Sequence, residues 1–135
     1  LSNMSKLAKT ILVVEDDTLI AMAIEAIASD AGAESIDTCT TTSEALVALK
    51  NKDYDAVVLD VHLSDSDDGW EVAELLQNLG PAAPKIVFST GSPDSIPEDI
   101  ARFGTVLAKP YQEKDLVAAL QLPVGGLLRR FARPA

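Results

Sequence analysis

Cysteine and histidine are nearly absent from this chain, and basic charge and long hydrophobic runs are scarce. Its 135 residues include one cysteine, Cys39, and one histidine, His62. A lone thiol has no partner for an internal disulfide, and one thiol with one imidazole cannot build a zinc site. A reducing, cytoplasmic compartment is therefore expected. The apolar stretches are only a few residues long, against the roughly 20 that a membrane-crossing helix needs, so no membrane contact is expected. The N-terminus has no basic region leading into an apolar run, and no secretory signal is read there. Eleven basic residues face 21 acidic ones, for a formal charge of −10. A surface that acidic repels phosphate backbones, so direct nucleic-acid binding is not expected either.

What is present suffices for one packed domain. Hydrophobic residues make up 47% and charged ones 24%, which excludes disorder as the global state. Leu1-Ser2-Asn3 before Met4 read as a tag remnant. The expected organisation is a remnant and N-terminal arm over 1–8, a domain over 9–122 and a short tail over 123–135. In that tail Gly125-Gly126 precedes Leu127, Leu128, Arg129, Arg130 and Phe131. A frayed terminus is the first reading of it, and an amphipathic docking segment the second.

Two kinds of segment alternate. Short apolar runs fall at 10–14, 56–59, 85–88 and 105–108, with a weaker one near 34–38. Between them, Ile20, Ala23, Ile24 and Ile27, then Val72, Leu75, Leu76 and Leu79, follow helical spacing. Ala45, Leu46 and Leu49 suggest another helix, and Leu116, Val117 and Leu120 a fifth. Pro93 and Pro97 confine the fourth to a few turns around 98–103. Thr41 with Glu44, and Asp68 with Glu71, read as capping boxes. Gly32 and Gly80, the latter followed by Pro81, read as helix stops. Five strands alternating with five helices predict an α/β fold, a parallel sheet covered on both faces.

In such a sheet ligands gather outside the carboxyl ends of the strands. Glu15-Asp16-Asp17 follow the first run, Asp60 the third in chain order, Ser89-Thr90-Gly91 the fourth and Lys109-Pro110 the fifth. Each alone has a plain structural explanation, such as a helix cap for Asp17 or a turn for Lys-Pro. Together, each at a strand end, they describe one shallow pocket. Close carboxylates repel by about 4 kcal/mol per pair at an effective dielectric near 20. Such a cluster suits a hard cation with oxygen ligands, Mg2+ or similar. A carboxylate beside that ion can attack phosphorus, while a hydroxyl and an ammonium neutralise the phosphoryl charge.

The strings ILVVEDD at 11–17, VVLD at 57–60, FSTG at 88–91 and LAKP at 107–110 resemble the four signature sites of response-regulator receiver domains, in family order. The resemblance covers about 9–122 and implies a (βα)5 flavodoxin-like, doubly wound fold with strand order 2-1-3-4-5. It implies Asp60 as phosphoacceptor, with Glu15, Asp16, Asp60 and the His62 backbone carbonyl as Mg2+ ligands. Thr90 matches the switch hydroxyl, Lys109 the phosphate-binding lysine, and Lys109–Pro110 a peptide bond that is usually cis. The implied partners are a histidine kinase or histidine phosphotransfer protein and an unknown downstream protein. The implied module is a stand-alone receiver in two-component signalling that transforms no outside substrate. The alternatives are a degenerate receiver that only binds partners, and a Mg2+-dependent phosphohydrolase with an aspartyl nucleophile. Such hydrolases commonly place a second Asp two residues after the first, where this chain has His62.

The chain departs from the receiver pattern in places. Val106 stands where an aromatic residue is usual, so a threonine–aromatic style of switching is not expected. Ser64 and Gly69 make the 64–68 loop one residue longer than in many relatives. FSTG is similar to the F-A-T-G signature of a receiver subgroup, although Lys85 and Pro93 differ from its preferences. His62 and Ser92 occupy the two variable positions that influence hydrolysis in the family, and His62 is not read as a phosphoacceptor.

Overall fold

The computed structural model describes residues 5–60, 70–78 and 83–123. The elements run β1 (Ser5–Leu7), β2 (Thr10–Val14), α1 (Thr18–Asp30), β3 (Ser35–Cys39), α2 (Thr42–Asn51), β4 (Ala56–Asp60), α3 (Trp70–Gln77), β5 (Lys85–Thr90), α4 (Glu98–Ala101), β6 (Gly104–Ala108), α5 (Glu113–Ala119) and β7 (Gln121–Pro123). β2 to β6 form one parallel sheet in the order β3-β2-β4-β5-β6. Counted along the chain, that is the order 2-1-3-4-5 of an α/β flavodoxin-like receiver fold.

Burial explains why the strands read as they do. β4 is buried at every position, and β2 and β5 at all but their first. The edge strands β3 and β6 are only partly buried. Alternate residues of the central strands divide into two cores. Leu12, Val14, Val57, Leu59, Ile86 and Phe88 pack with α2, α3 and α4 on one face. Ile11, Val13, Ala56, Val58 and Val87 pack with α1 and α5 on the other. Gly104 opens β6 because a Cβ there would collide with the Ile86 backbone of β5.

Helix boundaries follow side-chain chemistry. Asp17 is the N-cap of α1 and accepts from the Leu19 and Ile20 N–H groups. Thr41 caps α2, and the Glu44 carboxylate reaches back to accept from the Thr40 N–H at 2.9 Å. Gly32, at φ +119°, turns the chain out of α1. The stripe of α1 that faces the core is Ala21, Ile24 and Ala28, with Ala23 exposed. Ile20 and Ile27 pack half-buried beside them, so of the four expected positions only Ala23 turns outward. α4 is four residues long, preceded by a 3-10 turn at Pro93–Ser95.

One feature was not anticipated: β1 pairs antiparallel with β7, Ser5 opposite Pro123 and Leu7 opposite Gln121. Three-residue strands carry too little periodicity to register in a sequence. The Asp68–Glu71 capping box, Leu79, Gly80, Pro81, the 64–68 loop and the tail after Pro123 lie outside the described residues or side chains.

Candidate functional site

The parallel strands deliver their acidic and hydroxyl residues to one end of the sheet. β2 ends at Val14, and the next residue, Glu15, stays 2% exposed, its N–H bonded to the Cys39 carbonyl of β3 at 3.0 Å. Asp60 ends β4 at 5% exposure, and Thr90 ends β5 fully buried. Oxygens of Glu15, Asp16 and Asp60 all lie within 4.8 Å of one another, with Asp16 open to solvent. Lys109 follows β6 through a main-chain bond from its N–H to the Thr90 carbonyl, 2.6 Å. Its ammonium donates to Glu15 Oε1 at 3.0 Å. The Lys109–Pro110 peptide is cis.

The electrostatics of this group are unbalanced. Burial is the main force on Glu15 and, with a hydrogen bond to Asp60 and its charge, pushes the carboxyl up to about 7. The bonds from Lys109 and from the Asp17 N–H oppose that rise without cancelling it. For Lys109, burial disfavours the charged form, but the bond to Glu15 and the charges of Asp60 and Glu15 outweigh it, so the ammonium holds its proton more firmly than usual. One cation thus faces three carboxyl groups. A hard divalent ion fits this all-oxygen donor set, because it supplies the missing positive charge at the point of repulsion.

The structure brings together Glu15, Asp16, Asp60, Thr90 and Lys109. Asp17, which the sequence left open between site and cap, is a cap. His62 lies outside the described residues. The Thr90 hydroxyl accepts from the Ser92 N–H at 2.9 Å, tying the strand end to the loop before α4. Sequence reasoning missed Tyr111, whose hydroxyl sits 3.1 Å from the Ser89 hydroxyl. A single aromatic three residues after a strand carries no periodic signal. Val106 lies half-buried against the α2–α3–α4 core.

Among the described residues no helix is long and apolar enough to cross a membrane. The chain is similar to the phyllosphere-induced regulator PhyR of Methylorubrum extorquens, 28% identical over 84% of this chain and 43% of PhyR, so it spans less than half of that relative. A CheY-like receiver domain from Methanospirillum hungatei superposes with a TM-score of 0.68 at 27% identity, covering 82% of this chain and 88% of that one. The PhyR receiver domain of Erythrobacter litoralis gives 0.72 at 24% identity, over 90% and 91% of the two chains, a likeness of fold. The model of the response regulator receiver domain matches residues 11–121, and the chain belongs to that family.

Proposed function

We propose that residues 9–122 form a phosphoacceptor receiver that takes a phosphoryl group from a histidine kinase or histidine phosphotransfer protein onto Asp60. The observation that carries this reading is the meeting of Glu15, Asp16, Asp60 and Lys109 at the carboxyl end of one parallel sheet. The step is a displacement at phosphorus. An Asp60 carboxylate oxygen forms the new P–O bond as the P–N bond of the donor's phosphohistidine breaks, and the imidazole leaves.

Glu15, Asp16 and Asp60, with the His62 carbonyl, would hold Mg2+, which when bound neutralises charge on the transferring phosphoryl oxygens. The protein's own groups do the rest. Lys109 carries a firmly held proton and a flexible stem, so it can move from Glu15 to a phosphoryl oxygen as an ammonium. Thr90 can donate its hydroxyl to another. A change in these two contacts alters the surface offered to an unknown downstream protein. The module acts in the cytoplasm, as a signalling device and not as an enzyme on outside substrates.

Incubation with acetyl phosphate and Mg2+ should add one phosphoryl group by intact mass, and Asp60→Asn should abolish it. Equal labelling of the variant would overturn the assignment.

A further inference from the structure

Two hydroxyls meet beside the acceptor without being part of the set already described. Ser89 stands directly opposite Asp60 in the register of β4 and β5. Neighbours in a parallel ladder project from the same face of the sheet, so the two side chains share one side. Ser89 is 1% exposed, and its hydroxyl is 3.1 Å from that of Tyr111. The Tyr111 ring packs against the α1–α5 core together with Leu107, which lies opposite Ser89 in β6. A buried serine hydroxyl in an apolar face is costly unless partnered, and here Tyr111 is the partner.

The position of that partner matters. Tyr111 lies two residues beyond Lys109, and the Lys109 N–H is bonded to the carbonyl of Thr90, the residue after Ser89. Consecutive residues of β5 therefore grip the segment that carries Lys109 twice, once through the main chain and once through the hydroxyl pair. A lysine is a point charge on four flexible carbons, and its aim depends on where its backbone is held. We infer that the Ser89–Tyr111 hydroxyl pair is a latch that holds the Lys109 backbone in register with Asp60, making Tyr111 a positioning residue for the phosphoryl group.

This inference rests on the proposed phosphoacceptor role, and the test separates the two. Beryllofluoride, a phosphoryl mimic, is titrated into the Mg2+-loaded protein, and Mg2+ alone is titrated in parallel. Tyr111→Phe and Ser89→Ala should each weaken beryllofluoride binding roughly three- to tenfold, the loss of one well-aimed hydrogen bond. Mg2+ affinity should stay within twofold of wild type, since Lys109 is not a metal ligand. General loosening of the fold would lower both affinities together, and that result would overturn the latch. The double variant should be little worse than either single one, because both break the same bond. In a Lys109→Ala background Tyr111→Phe should have no further effect, and a persisting loss there would also overturn it. If wild type fails to bind beryllofluoride, the phosphoacceptor reading falls and the latch with it. If wild type binds and Tyr111→Phe binds equally well, only the latch falls.

Discussion

The site at the strand ends and a second cluster on the edge strand β3 use similar residues to opposite effect. In the second cluster the Asp37 carboxylate accepts from the Tyr54 hydroxyl at 2.7 Å and from the Lys52 ammonium at 3.0 Å, and Lys52 also donates to Ser35. Lys52 lies 5.4 Å from the centre of the Tyr54 ring. There one carboxylate has two donors, and the bonds from Tyr54 and Lys52 hold Asp37 below the usual carboxylate range. At the site, three carboxyl groups share one lysine, and burial pushes Glu15 the other way. The β3 cluster is a closed brace whose needs are met internally. The site gathers three carboxyl groups around one lysine, an excess of negative charge that favours binding of a cation and that the β3 ion pair lacks.

The largest way to break this contrast is pH. Without metal, Glu15 titrates near 7 in the folded protein and near 4.5 unfolded. Between those values the native state binds more protons, so stability falls as pH rises, by up to ~3 kcal/mol for a group this buried. Asp37 has the opposite sign. Its contribution is complete above its unfolded value of 3.8 and is lost as pH falls through its lowered folded value. Urea unfolding of the metal-free protein at pH 5 and pH 8 should show the first effect, and Glu15→Gln should flatten it. An unchanged profile in that variant would remove Glu15 as the source.

Next in size is the response to Mg2+. An ion that binds only the assembled site should stabilise it by about 2.7 kcal/mol at a hundredfold excess over its Kd. Asp60→Asn should lose most of that gain, while Asp37→Asn should keep it. A melting temperature indifferent to millimolar Mg2+ would show that the acidic cluster is not a metal site. The same two variants should move metal-free stability in opposite directions. Asp60→Asn relieves repulsion and should raise it by about 1–2 kcal/mol. Asp37→Asn weakens a half-exposed brace and should lower it by about 0.5–1 kcal/mol. Shifts of the same sign would erase the distinction between the clusters.

Legibility in the sequence followed the same divide between what is patterned and what is local. The runs that became β2, β4 and β5 stood out because burial on two faces demands unbroken Val, Ile and Leu. Glu15, Asp60, Thr90 and Lys109 stood out because each interrupts or ends such a run. Edge strand β3 was fainter, since half of its surface meets solvent and Asp37 and Thr38 are tolerated there. The Gln112–Asp115 capping box of α5 went unread because Gln is a rare cap. The β1–β7 ribbon and the Ser89–Tyr111 contact are tertiary facts. They depend on which residues fold beside one another, and no window of sequence contains both partners.

The smallest expected effect is the one that reports signalling. Phosphate on Asp60 adds oxygens that compete for the Thr90 hydroxyl. In the unphosphorylated chain that hydroxyl oxygen accepts from the Ser92 N–H, which opens the segment of the 3-10 turn and α4. Ile96 and Ile100 hold this segment to the core, but its ends are weakly capped, because α4 has four residues, Pro97 as its N-cap and no side-chain cap bond, and the 3-10 turn also lacks one. Val106 places no aromatic ring on β6 to follow Thr90, so the strand itself should change little. A turn of the Thr90 hydroxyl toward phosphate re-aims its lone pairs and weakens the bond to Ser92. Protection in 89–103 should therefore shift while β3 and its Asp37 brace stay as they were. Hydrogen exchange with and without beryllofluoride would map this directly. Thr90→Ala should still take phosphate on Asp60 but lose most of the altered exchange. If that variant responded like wild type, Thr90 would not be the link from phosphate to surface, and the signal would have to leave through the segment after Asp60 instead.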